Sequence, residues 1–200
     1  MKRRVFFGLL VTVMMLAVAT AGCASSTNSS SGGSSQPAAS TVPAAAFVPQ
    51  NNPGYLNYTN ATAGVRIQYP LGWNVTEGNG SIVTFSPPGG VDANVKLSST
   101  NMSGIKPSLD EVKTIVTNDL LNNTKIQYTL VSTENTTLAG MPAFTLNLNA
   151  TTSGISIKQE VASTLKDDQG YVLFYTATQG LFPDYQNDFS NMTSSFAITS

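Results

Sequence analysis

Paired carboxylates are the residues here whose types and spacing could do chemistry, since two acids can run glycoside hydrolysis and several can hold calcium with six to eight oxygens. The groupings are Asp110-Glu111, Asp167-Asp168, and Asp184 with Asp188 one helical turn further on. Each also has a plain structural reading. Asp167 and Asp168 suit a turn, Asp110, Glu111 and Asp184 suit the positive ends of helices, and Asp188 suits a solvated helix face. Asp167, Asp168, Asp184 and Asp188 therefore stand as weak calcium candidates, and no residue is nominated as catalytic. The chain has no histidine and one cysteine. That excludes His-dependent triads, imidazole metal sites, Cys-cluster zinc sites and an internal disulfide. No phosphate-binding glycine loop, GxSxG elbow or EF-hand loop occurs, and no spacing of Lys and Ser nominates a dyad.

Asparagine offers a second chemistry. Asn28, Asn57, Asn60, Asn74, Asn79, Asn101, Asn122, Asn135, Asn149 and Asn191 each head an Asn-x-Ser/Thr triplet without proline, ten of the 17 asparagines. With 46 Ser and Thr in 200 residues, chance would place such triplets at about four of them. The excess points to selection for N-glycosylation. Neutral sugars would also keep hydrated a surface in which charged residues are only 10% of the chain, against about 25% in ordinary soluble domains. The bland alternative is an Asn/Thr-rich surface that carries no sugar.

The single thiol, Cys23, has the clearest context. Lys2, Arg3 and Arg4 precede the apolar run VFFGLLVTVMMLAVA, which ends in Thr20, Ala21 and Gly22 directly before Cys23. The run is shorter than the ~20 apolar residues that cross a bilayer, and it leads into a Ser/Gly-rich segment, so export and cleavage are expected. The small residues before the cysteine resemble the lipobox of prokaryotic lipoproteins, whose cysteine is acylated and becomes the new N-terminus, with Thr20 where Leu is usual. The alternative is an ordinary signal peptide beside an incidental cysteine. Two lipid chains, at ~0.8 kcal/mol per buried methylene, would hold the protein without a spanning helix.

Removing residues 1–22 takes three of the ten basic residues and no acid, leaving 7 − 11 = −4. A mildly acidic chain is a poor nucleic-acid ligand, and it gains nothing from anionic lipid. The membrane partner is then reached through the lipid alone. Residues 23–53 comprise the cysteine and an uncharged Ser/Ala/Gly/Pro tether that cannot bury enough surface to fold. Its r.m.s. span is about 30 Å.

Residues 54–200 carry the patterning of one α+β domain. Val65, Ile67 and Tyr69 alternate with Arg66 and Gln68, as in a half-buried strand ending at Pro70. Ile82–Phe85 and Ala93–Ser99 flank the breaker Pro87-Pro88-Gly89-Gly90 and predict a hairpin. Ser108 and Glu111 form a capping box ahead of Leu109, Val112, Ile115, Val116 and Leu120 on one helical face. IQYTLVS, a segment near Thr136–Leu138, PAFTLNLNA, ISIKQEVASTL and GYVLFYTAT supply further strands, with Asp167-Asp168-Gln169-Gly170 as a turn. Tyr171–Tyr175 is apolar at every position, which requires cover on both faces and hence helices on both sides. Phe182, Tyr185, Phe189, Met192 and Phe196 define a last helix, starting at Pro183 and followed by a short strand, with its aromatic stripe in the core.

GVRIQYPLGW (Gly64–Trp73) is similar to the opening of PsbP-like domains, where a strand enters a Tyr-Pro-x-Gly-Trp turn. TLAGMPAFTLNL resembles the family's Gly-x-Pro-Ala strand entry, GYVLFYTAT its penultimate strand, and YQNDFSNMTSSFAI its closing helix and Ser-Phe strand. The resemblance implies a three-layer α/β/α sandwich around a mostly antiparallel sheet of about six or seven strands. It also implies binding rather than catalysis. PsbP proteins are extrinsic subunits that help retain calcium, chloride and manganese at the oxygen-evolving centre, and a related fold serves a Ran-binding transport protein. Calcium enters only through this resemblance; otherwise no cofactor is expected. Without histidine the chain cannot repeat a His-based metal contact.

Together these readings predict a lipoprotein on the outer face of the cytoplasmic membrane, at a cell surface that lipobox and glycan acceptors point to as archaeal. Its domain is expected to be a non-catalytic module that recruits or stabilises a membrane or envelope complex. The alternatives are a structural surface glycoprotein without a specific pocket and, behind it, a carboxylate-dependent envelope hydrolase.

Overall fold

Phe144, Leu146 and Leu148 are buried while Thr145, Asn147 and Asn149 between them are not, so the strand period of two gives this segment one dry face and one wet one. The same rule sets most of the architecture. The computed structural model describes residues 53–78 and 81–199. In chain order the elements are β1 (Tyr55–Asn60), β2 (Val65–Pro70), β3 (Asn74–Glu77), β4 (Ile82–Ser86), β5 (Ala93–Asn101), α1 (Leu109–Leu121), β6 (Gln127–Leu138), β7 (Met141–Thr152), β8 (Ile155–Lys166), β9 (Gln169–Thr178), α2 (Phe182–Ser195) and β10 (Ala197–Ile198). Mixed α+β content with antiparallel pairing throughout agrees with the fold class the sequence predicts.

The strands form two sheets. The larger has seven strands in the order β3-β4-β5-β9-β8-β7-β6, and the smaller has the order β1-β2-β10. β1 and β3 lie outside the strands the sequence patterning predicts, because neither alternates cleanly. β6 runs unbroken from Gln127 to Leu138 where two segments are expected; a register shift between Leu130 and Ser132 marks a bulge that lets the strand continue. β2 belongs to the small sheet, apart from the β4–β5 hairpin.

The capping box forms as its spacing predicts. Ser108 Oγ accepts from the Glu111 N–H at 3.3 Å, and Glu111 Oε2 accepts from the Ser108 N–H at 2.8 Å. Val112, Val116 and Leu120 are the buried stripe of α1, which packs on β6, β7 and β8. On the opposite sheet face Tyr171, Leu173, Tyr175 and Ala177 of β9 join Phe85, Val95 and Leu97 in a core closed by Phe182, Phe189, Met192 and Phe196. Tyr175 stacks on Phe182 and Phe189 at 4.5 and 5.4 Å between centroids. Val65 and Ile67 of the small sheet complete this core. The third layer is thus α2 and the small sheet side by side. Tyr171–Tyr175 is buried at every position, as a strand covered on both faces requires.

Candidate binding cleft

The ladder between β5 and β9 pairs Asn101 with Gln169 and Ser99 with Tyr171. Alternation therefore puts all four on the face that the small sheet covers. The β1–β2 turn closes over the end of that face. Asn60 Oδ1 accepts from the Ala63 N–H at 2.9 Å, and the Gly64 N–H donates to the Ala61 carbonyl at 3.3 Å, which shapes Thr62 and Ala63 into a rim. The Thr199 N–H ties Gly64 to the strand after α2 at 2.7 Å. On the opposite side the Ser99 N–H donates to the Ser81 carbonyl at 3.2 Å, bringing Ser81 beside the sheet end.

Between these parts lies a cleft of about 290 Å³ lined by Thr62, Ala63, Ser81, Asn101, Gln169 and Tyr171. Tyr171 is held from below, its ring 6.0 Å from that of Phe196. Its hydroxyl has no partner among the described residues. Ser99, across the ladder, carries a buried Oγ that is also without a hydrogen bond. Among the described residues no carboxylate, amine or guanidinium lines the cleft. Hydroxyls and amides can orient a neutral polar group, but they supply no acid–base pair. The volume sits at the bottom of the ~300–1,000 Å³ usual for small-molecule sites, which suits one group projecting from a larger partner.

The carboxylates singled out in the sequence lie elsewhere. Asp167 and Asp168 form the two-residue β8–β9 turn, with Asp167 in the left-handed region at φ 52°. The Asp168 carbonyl accepts from the Met102 N–H at 2.6 Å. Asp184 is exposed in the first turn of α2, and Asp188 accepts from the Tyr55 hydroxyl at 2.6 Å. β9 separates the two pairs, and its ten residues span about 33 Å at 3.3 Å per residue. The fold does not bring Asp167, Asp168, Asp184 and Asp188 together. Among the described residues no group of three or more acids or cysteines is placed to hold a metal. Asp188 has a structural task instead: with Asn191, whose Nδ2 donates to Tyr55 Oη at 2.8 Å, it docks β1 on α2.

A different set of charges converges near the core. Tyr175 donates to the Phe182 carbonyl at 2.6 Å, and burial, then Asp184, Asp188 and Glu160, pushes its phenol well above the ordinary tyrosine range. Burial, helped by Glu134, raises the Glu160 carboxyl. Burial also lowers the Lys96 ammonium, which stands on the other face of the sheet, since it alternates with the core residues Val95 and Leu97. The gathering of carboxylates about Tyr175 leaves no signal in the sequence, because the register behind it is long-range.

Of the glycan acceptors, Asn57, Asn74, Asn101, Asn122, Asn135, Asn149 and Asn191 are exposed and Asn60 is half-buried. Cys23, Asn28 and Asn79 lie outside the described residues.

The family model for PsbP matches residues 53–198. The chain belongs to the PsbP family. The PsbP-family domain is similar to cyanobacterial PsbP (CyanoP) from Synechocystis sp. PCC 6803, at 15% identity and a TM-score of 0.58 over 77% of this chain and 98% of that one. It is also similar to the Ran-binding protein Mog1p of Saccharomyces cerevisiae, at 11% identity and a TM-score of 0.54 over 73% of this chain and 96% of that one. At such identities the likeness is one of fold. No curated protein matches the chain.

Proposed function

We propose that this chain is a lipoprotein, anchored through Cys23 to the outer face of the cytoplasmic membrane, whose PsbP-family domain is a non-catalytic module that recruits or stabilises an envelope complex. The observation that carries this reading is the cleft at the sheet end. Among the described residues its lining is wholly uncharged and the Tyr171 hydroxyl has no partner, so the site is better suited to recognition than to proton transfer. The separation of Asp167-Asp168 from Asp184 and Asp188 removes the four-carboxylate grouping that the hydrolase reading drew on, and the close acid pair of Glu134 with Glu160 lies outside the cleft. The Ran-binding description of Mog1p is consistent with a fold used for protein recognition, although fold alone does not fix function. Neither nucleic acid nor a cofactor has a part in this proposal.

The test is a photo-crosslinking amino acid at Gln169 in intact cells. A discrete adduct that weakens when Tyr171 is changed to Phe supports the module. Absence of any adduct from folded, lipidated protein overturns it. Calcium is tested separately: a melting midpoint unchanged by chelator is expected, and a drop would reveal a stabilising site. A structural surface glycoprotein is the second reading, favoured by exposure of seven of the eight described acceptors.

A further inference from the structure

We propose that sugars are carried by four of the eight described acceptors, Asn57, Asn74, Asn135 and Asn149, and that three of these glycans guard the edges of the two sheets. This rests on the surface location proposed above. All four asparagines lie in strands, where residues two apart share a face, so each amide stands beside the hydroxyl of its own triplet: Thr59, Thr76, Thr137 and Thr151. All eight of these side chains are exposed. Among the described residues none of the four Nδ2 groups has a hydrogen bond; Asn57 uses only its Oδ1, which accepts from Gln68 Nε2 at 3.3 Å.

The other four differ. Asn60 is half-buried and uses both ends of its amide, Oδ1 on the Ala63 N–H at 2.9 Å and Nδ2 on Tyr58 Oη at 3.3 Å. Asn101 lines the cleft and is the last residue of β5, so Ser103 of its triplet lies beyond the strand, where its N–H donates to Asn101 Oδ1 at 2.9 Å. Asn122 caps α1, its Nδ2 donating to the Asn118 carbonyl at 2.7 Å. Asn191 lies within α2, where residues two apart diverge by about 200° around the axis. Its Nδ2 is engaged with Tyr55, and the Thr193 hydroxyl of its triplet donates to the Ser190 carbonyl at 2.9 Å.

In the transfer, Nδ2 bonds to the anomeric carbon of a glycosyl-phosphate donor. The bond from that carbon to the phosphate oxygen breaks with its electron pair, and a proton leaves the nitrogen to a base of the transferase. A free, exposed Nδ2 beside its hydroxyl meets this geometry on the folded domain.

The placement of the four has a physical consequence. β3 and β6 are the two edges of the seven-stranded sheet, and β1 is an edge of the small one. Asn74, Asn135 and Asn57 stand on them in that order. Edge strands invite pairing with another chain and are usually protected by charge, proline or bulges. Here β1 has no charged residue, while β3 and β6 have one each, Glu77 and Glu134. A glycan on each edge does by bulk what charge does elsewhere.

Peptide mass spectrometry of the protein purified from its native membrane tests the assignment. Sugar at Asn57, Asn74, Asn135 and Asn149, with Asn60, Asn101, Asn122 and Asn191 bare, is expected. Changing Thr59, Thr76, Thr137 or Thr151 to Ala should each remove one glycan mass, and Thr193→Ala should remove none. Equal occupancy at Asn60 or Asn191, or bare strand asparagines, overturns the assignment. The N-terminal peptide of the same sample separates the two failures: acylated Cys23 with no sugar sinks this inference alone, whereas an intact leader sinks the anchor. Enzymatic deglycosylation of the native protein should raise its self-association in size-exclusion runs, and an unchanged monomer overturns the edge-guarding role.

Discussion

One face of the large sheet behaves as two different surfaces. Over β4, β5 and β9 it meets α2 and the small sheet, and Phe85, Val95, Leu173 and Tyr175 are almost fully buried. Over β6, β7 and β8 the same face presents Ser132, Glu134, Thr145, Asn147 and Asn149, all half-buried or exposed. β8 spans the change, alternating up to Glu160 and then buried from Val161 to Thr164. The strand rule is the same in both halves. What differs is whether a second layer arrives to remove water, and the half with cover is where apolar side chains contribute most to stability.

The largest expected effect tests that contrast directly. Phe189→Ala, in the covered half, should lower unfolding free energy by about 3–5 kcal/mol, and Thr145→Ala in the open half should stay within about 0.5 kcal/mol. Urea unfolding checks both, and equal losses would erase the distinction. Next is the docking of the small sheet. Tyr55→Phe removes the hydroxyl bound by Asp188 and Asn191 and should cost about 1 kcal/mol, whereas Tyr171→Phe should leave stability within about 0.5 kcal/mol while weakening the Gln169 crosslink. A Tyr171→Phe variant that loses stability as Tyr55→Phe does would mean that its hydroxyl is structural. Ser108→Ala should cost about 1 kcal/mol through the lost cap, read as reduced α1 protection in hydrogen exchange.

The smallest effect is a pH dependence in the open half. Glu160 has a folded pKa above the ordinary glutamate value, chiefly through burial and then Glu134. Its protonated form is the one the fold favours, so stability is fully present below the ordinary glutamate pKa and falls as pH rises through the raised one. Glu160→Gln should therefore melt with wild type in acid and about 2 °C above it at neutral pH. Coinciding curves across the range would show that Glu160 is effectively solvated.

Much of the fold was legible because it rests on local patterns. The α1 capping box, the alternation in β7, the apolar run Tyr171–Tyr175 of β9 and the α2 aromatic stripe all formed where spacing predicts them. β3 was not legible, since Asn74–Glu77 buries no residue fully and is a strand only because β4 pairs with it. The sorting of glycan acceptors was equally hidden. Asn149 and Asn191 head the same kind of triplet, and only the strand around one and the helix around the other set them apart. The cleft escaped because Thr62, Ser81, Asn101 and Tyr171 are ordinary residue types, far apart in the chain, with no shared spacing.

Periodicity and capping act over a few residues, so the linear order of this chain already determined which segments become helix or strand and which side of each is apolar. Which strands end up at an edge, which half of a sheet is covered and which unpaired hydroxyls face a common cleft depend on contacts between distant segments. Those contacts are chosen by the summed burial of the whole domain, and no local stretch of sequence contains that sum.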